Sequence, residues 1–186
     1  MRLLSLDLSL NTGYAIFVEG KLKAFDVIQA DREGKQDHPN YPANFINAAE
    51  KISNLINLII VNRNIDTVIV EDSVQMSRDR FAQKQSEFIH YAVNKVLIEK
   101  KVKRHYLSPS QWRKILEIKM TKEDKAHNKL VRSKKVKGKI TTKHLTVRYI
   151  NKVYGYNLLI KDNDKADAIG IGRALLFSKG LLNEPM

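Results

Sequence analysis

The sequence predicts an α/β fold, a mixed β-sheet flanked by helices, and three observations carry that prediction. Short apolar segments near the N-terminus are separated by turn residues, as in an antiparallel meander. Each later strand-like run alternates with a stretch whose apolar residues recur at helical spacing. The resulting order (three strands, helix, strand, helix, strand, then helices) suits a sheet with covered faces and neither a bundle nor a sandwich.

The elements follow in chain order. Residues 3–9, 14–19 and 21–28 are the expected strands, with Gly13 in the first turn and Glu19-Gly20 in the next. Asp31, Gly34, Asp37, Pro39, Asn40 and Pro42 make 30–42 a loop. Between Ala43 and Asn64, Phe45, Ile46, Ala49, Ile52, Leu55, Ile56, Ile59 and Ile60 have helical spacing. Asp66 to Glu71 is a continuous apolar run closed by an acid, the pattern of a buried parallel strand. After a polar loop, a helix is expected from Arg80 to Lys100 with Phe81, Phe88, Tyr91, Ala92, Val96 and Leu97 as its apolar members. Residues 102–107 form another strand. Ser108-Pro109 then opens a helix reaching Ile118, with Trp112, Ile115 and Leu116 inward. Residues 119–140 are basic and weakly periodic and are expected to be an insertion-like element. Helices over Thr141–Val153 and Asp164–Ser178 complete the chain.

Composition narrows the function. At 186 residues, 43% hydrophobic and 28% charged, the chain suits a single globular domain over 1–186. No apolar run approaches the ~20 residues of a membrane span. The start lacks a signal-peptide cleavage site, and the chain has no cysteine, which excludes disulfides and thiolate zinc sites. A cytoplasmic location and no membrane partner are therefore expected. The net charge of +13 favours a polyanionic partner. Residues 100–148 hold seventeen Lys or Arg against Glu117, Glu123 and Asp124, so the rest of the chain is nearly neutral. The basic character is local, as a binding surface requires.

Four acids stand out. Asp7 lies toward the end of the first strand and Glu71 ends the fourth; Asp164 and Asp167 are three residues apart at the start of the last helix, on one face of it. Were the first and fourth strands neighbours, Asp7 and Glu71 would sit side by side beneath the Asp164/Asp167 face. Ordinary readings exist for each: Asp7 as a turn residue, Asp164 as an N-cap, Asp167 as a first-turn acid. Glu71 closes a buried strand and needs a partner. Four carboxylates in one site repel unless cations neutralise them, and oxygen donors without Cys or clustered His point to Mg²⁺, for which Mn²⁺ substitutes. Two such ions suit phosphodiester hydrolysis. Asp72 and Asp162 rank below the four because neither shares their face, and His38, His90, His105, His127 and His144 are scattered.

These residues resemble the RuvC-type Holliday-junction resolvases of the RNase H-like superfamily, particularly the phage and viral branch. The matching pieces are Leu6-Asp7-Leu8-Ser9-Leu10-Asn11-Thr12-Gly13-Tyr14-Ala15, Val68-Ile69-Val70-Glu71 and Asp164-Lys165-Ala166-Asp167-Ala168-Ile169. The resemblance implies an RNase H-like sheet with Asp7, Glu71, Asp164 and Asp167 as catalytic, metal-binding carboxylates. It implies a homodimer that binds a four-way DNA junction and nicks it symmetrically. Arg113 and Lys143 are the matches for the family's basic residues near the cleft, and Lys134, Lys135, Lys137 and Lys139 are expected to contact DNA. Met76 or Phe81 stands where the family inserts a side chain into the junction. Two departures are visible. Leu8-Ser9 replaces the Pro-Gly usual in bacterial members, and the 119–140 stretch is longer, which leaves room for other branched DNA. The readings held against this one are an RNase H-like enzyme acting on RNA–DNA hybrids and a catalytically silent nucleic-acid-binding protein. An actin-like ATPase would need a second glycine-rich phosphate loop, which the sequence lacks.

Overall fold

The computed structural model describes residues 1–30, 41–72 and 80–182. Its strands are β1 (Arg2–Asp7), β2 (Asn11–Val18), β3 (Lys21–Gln29), β4 (Thr67–Glu71) and β5 (Lys103–Leu107). Its helices are α1 (Ala43–Asn62), α2 (Arg80–Glu99), α3 (Pro109–Ile115), α4 (Lys122–Arg132), α5 (Thr142–Tyr154) and α6 (Asn163–Ser178), with a 3-10 turn over Ile160–Asp162. The five strands lie in the order β3-β2-β1-β4-β5. β1, β2 and β3 form the antiparallel meander, while β4 and β5 run parallel to β1. This is the mixed, helix-flanked sheet that the residue pattern predicts. Among the described residues no helix is long and apolar enough to cross a membrane.

Side-chain alternation sorts the strands into two cores. Leu4, Leu6, Ile16, Val68 and Val70 pack against α1 and α2. Leu3, Ala15, Phe17 and Ile69 pack on the other face, which α3, α5 and α6 cover. The period of two follows from the pleat, so successive residues of β1 and β4 face opposite layers.

Several elements differ from expectation for local reasons. β2 begins at Asn11 instead of residue 14, because Asn11 to Gly13 pair with β3 and Gly13 also pairs with Asp7. The short turn before it is closed by Thr12, whose Oγ1 donates to Ser9 O at 2.6 Å. α3 stops at Ile115, and Glu117 turns to a left-handed φ of 55°. Within the weakly periodic 119–140 segment α4 occupies the centre, started by Thr121, whose side chain accepts from the Asp124 N–H while Asp124 returns the bond. On α2 the buried stripe is Ile89, Val93 and Leu97, and Tyr91 is 73% exposed. Ile46 and Leu55 of α1, also expected inside, are exposed.

α6 is buried on nearly every side, from Ala166 to Leu176. Its close seating on the sheet rests on small residues. Ser5 Oγ donates to the Ala168 carbonyl at 2.5 Å. A Cβ on Gly13 would lie 2.0 Å from the Asp164 carbonyl oxygen, and one on Gly172 would lie 2.3 Å from the Phe17 ring. Lys165 pairs with Asp26 of β3 at 2.9 Å, fastening the start of α6 across the meander. Gly13→Ala is therefore expected to force α6 off β2 at a cost of about 3 kcal/mol, the scale of overpacking a tight interior. Denaturant unfolding measures this directly, and a loss below a few tenths would show that the contact yields easily.

Candidate functional site

Alternation and register bring the first two acids together. On β1, Leu3 and Ser5 face α6, and Asp7 continues that series; on β4, Ile69 and Glu71 do the same. The strands pair in parallel with Leu6 opposite Val70, so the next residues, Asp7 and Glu71, emerge side by side at the strands' C-terminal ends. Open α/β sheets bind ligands at this end. Asp72, one residue on, points away and acts on His90 of α2 instead.

α6 supplies the other two. Its N-cap is Asp162, which makes no side-chain cap bond, so Asp164 is a first-turn residue and not the cap. Asp167 lies on the next turn and is only 6% exposed. Gly13 allows this turn of α6 to approach β2. Asp7 feels all three partners. Its carboxyl is pushed well above the ordinary range, first by burial, then by the negative charges of Glu71 and Asp167, by a hydrogen bond shared with Glu71, and by Asp164. Asp167 is raised to about 6 by burial; Arg113 and Lys143 oppose the rise and Glu71 adds to it. Burial is the larger cause at both acids, and the like charge of neighbouring carboxylates adds to it.

Three neighbours orient these groups. Trp112 of α3 is fully buried with its ring against Gly170, and its Nε1–H donates to Glu71 Oε1 at 2.7 Å. Arg113 lies over the Trp112 ring at 4.3 Å and reaches Asp167 Oδ2 at 3.3 Å. Lys143, exposed at the start of α5, is close enough to act on Asp167. Arg113 thus contacts the acid cluster directly, and Lys143 acts on it through its charge. Trp112, which the sequence marks only as a core residue, also contacts the acid cluster. The signal for it was Glu71, a strand-closing carboxylate that had to find a donor.

The donor set fits a hard divalent cation. It consists of carboxylate oxygens alone, and the buried Asp167 Oδ1 has no hydrogen-bond partner. As the side chains stand, no three acidic or histidine groups among the described residues are gathered tightly enough to hold one ion. Each acid on the rim faces a protein donor instead: Glu71 meets Trp112, Asp167 meets Arg113, and Asp164 meets the Asn163 amide. Of the other expected residues, Lys134, Lys135, Lys137 and Lys139 are exposed on the stretch following α4, and no ion pair among the described residues ties them to the acids. Phe81 packs edge-on against Phe45, ring centroids 4.6 Å apart, and thus belongs to the α1–α2 layer. Met76 lies outside the described residues.

This strand order, with acids at the ends of adjacent parallel strands and a buried helix across them, is an RNase H-like fold. Solved RuvC-type resolvases have a similar fold. The Thermus thermophilus RuvC structure is similar over 97% of this chain and 96% of that one, with a TM-score of 0.66 at 15% identity. The yeast mitochondrial Holliday junction resolvase Ydc2 is similar over 97% of this chain and 79% of that one, with a TM-score of 0.58 at 14% identity. The fowlpox virus resolvase, solved with its substrate Holliday junction DNA, is similar over 98% and 100%, with a TM-score of 0.52 at 17% identity. No family sequence model and no curated protein sequence matches the chain.

Two outcomes test this geometry. An acid whose folded-state pKa lies above its unfolded value contributes stability below the unfolded value and loses it as pH rises through the folded one. For Asp167 that window runs from 3.8 to about 6. Asp7→Asn removes one repelling charge, so in chelator at pH 7 its Tm should exceed that of wild type, and the difference should shrink toward pH 4.5. Thermal melts across that range check it; a variant less stable at pH 7 would contradict the crowding. Trp112→Phe keeps the ring on Gly170 but removes the donor to Glu71. Mn²⁺ affinity by calorimetry should fall about tenfold, the scale for losing a residue that orients a ligand, while equal affinity would leave Trp112 a packing residue.

Proposed function

We propose that this chain, acting as one nuclease domain, is a divalent-metal-dependent, structure-selective DNA endonuclease that resolves four-way junctions. The observation that carries this reading is the pairing of Asp7 with Glu71 at the ends of adjacent parallel strands, beneath Asp164 and Asp167 of α6, in a fold shared with junction resolvases. Asp7, Glu71, Asp164 and Asp167 would hold Mg²⁺, with Mn²⁺ as a substitute. The bound metal would supply an activated water and charge stabilisation on the departing oxygen.

The protein's own residues do the rest. Trp112 holds Glu71 toward Asp7, and Ser5 with Gly13 keeps α6 pressed down so that its two acids overhang the same place. Arg113 and Lys143 flank Asp167 and offer cations to the phosphate being cut. Lys134, Lys135, Lys137 and Lys139 add sequence-independent affinity through backbone phosphates. Two copies of the chain would nick the junction in opposed strands. The exposed Leu58, Val61, Tyr91 and Ile98 on the outer side of α1 and α2 provide apolar area for such a pairing.

The test is cleavage of a labelled synthetic four-way junction beside linear duplex and RNA–DNA hybrid, in Mg²⁺ and in chelator, with wild type and Asp7→Asn. Paired nicks in the junction alone, dependent on metal and reduced at least a thousandfold by the substitution, are expected. Preferential cutting of the hybrid would reassign the activity to an RNase H-like ribonuclease. A junction bound but uncut in Mg²⁺ and Mn²⁺ would leave a binding protein. Single unpaired nicks would argue against two copies acting together.

A further inference from the structure

α4 carries Lys122, Lys125, Lys129 and Arg132, at spacings of three, four and three. At 3.6 residues per turn they share a strip about 80° wide that runs about 15 Å along the axis. All four are exposed, and among the described residues no ion pair engages any of them. Residues three or four apart are neighbours on a helix, so Lys122/Lys125, Lys125/Lys129 and Lys129/Arg132 are like-charged pairs that oppose the free helix. The helix's own acids do not relieve them. Glu123 lies on another face, and Asp124 is turned inward.

Polar anchors hold this helix in place: its buried residues are Asp124 and Asn128, and no apolar side chain joins them. Asp124, 4% exposed, accepts from Arg148 of α5 on both oxygens at 3.1 Å. One turn later Asn128 brackets Ile140, donating to its carbonyl and accepting from its N–H, both at 2.8 Å. The His127 ring meets the Gly138 carbonyl at 2.7 Å. α4 is thereby stitched to α5, whose first turn carries Lys143.

We infer that α4 is a rail for the phosphate backbone of one duplex arm of the DNA, its four cations facing the strand and its two buried polar residues holding them in register. This rests on the nucleic-acid reading above and names a surface that reading did not include. A stripe of one sign, without aromatic or apolar members, matches the uniform charge of a backbone and reads no sequence. The like-charge cost built into the free helix is repaid when phosphates neutralise it. The anchors make the stripe a preformed surface, so Asp124 contributes to binding although it is itself an anion.

The experiment is equilibrium binding of a four-way junction in chelator over a range of salt, using the full chain. Replacing Lys122, Lys125, Lys129 and Arg132 together by Gln should lower affinity at least tenfold near 0.1 M salt. It should also flatten the slope of log affinity against log salt by up to about 3.6, at about 0.9 per phosphate contact. Asp124→Asn makes the chain more positive yet should weaken binding several-fold, because α4 is released. A quadruple variant with the wild-type slope would overturn the rail. Asp124→Asn binding as tightly as wild type, or tighter, would overturn the anchoring. Wild type that fails to bind the junction at any salt would remove the nucleic-acid reading itself, whereas wild type that binds and cuts beside an unaffected quadruple variant would remove only the rail.

Discussion

The parallel pairing of β1 with β4 is the constraint on which the rest of this structure depends. It places residue 7 next to residue 71, and the pleat turns both to the face that α6 covers. A slip of one residue in either strand would send one carboxylate into the α1–α2 core, among Leu6, Val70 and Ile89, where it would have no partner. Packing opposes that slip, since Leu4, Leu6, Val68 and Val70 would leave the α1–α2 core for the face on which α6 is closely seated over Ser5 and Phe17. The packing of ordinary aliphatic residues thus determines where the acids stand.

Crowding acids has a cost that other parts of the fold offset. Asp7 and Asp167 are both held above their ordinary pKa, chiefly by burial. The acids stay in place because α6 is fixed by contacts unrelated to charge: the Ser5 bond, the glycine contacts at Gly13 and Gly172, and the Trp112 ring on Gly170. Trp112 joins the two halves of the problem, as its ring packs on α6 while its N–H holds Glu71. A site assembled this way is strained as a protein and suited to a cation. Stability and the proposed activity therefore pull in opposite directions at Asp7.

Charge elsewhere is organised by the same rule that buried polar groups must be paired. In the 119–140 segment, buried polar side chains take the role apolar ones have in α1. Asp124 and Asn128 fix α4 through Arg148 and Ile140. That helix escapes a search for apolar periodicity because Ala126, Leu130 and Val131 are its only apolar residues, although Thr121 and Asp124 form a capping box three residues apart. The Thr-x-x-Asp spacing was the one local cue.

The sequence by itself determined the sheet class, the meander, the parallel character of the Val68–Val70 strand and the four acids, because period-two and period-3.6 patterns and turn residues are local properties. It could not decide which face of α2 is buried: Tyr91 looked like core and is exposed, while Ile89 and Val93 take that place, since the choice depends on where α1 lies. Nor could it reveal that Trp112 serves Glu71 from 41 residues away, or that Asp124 finds Arg148 across 24. Those pairings join residues that no spacing relates. Only the folded chain, by burying Asp124 and part of Glu71, obliges each to find its donor.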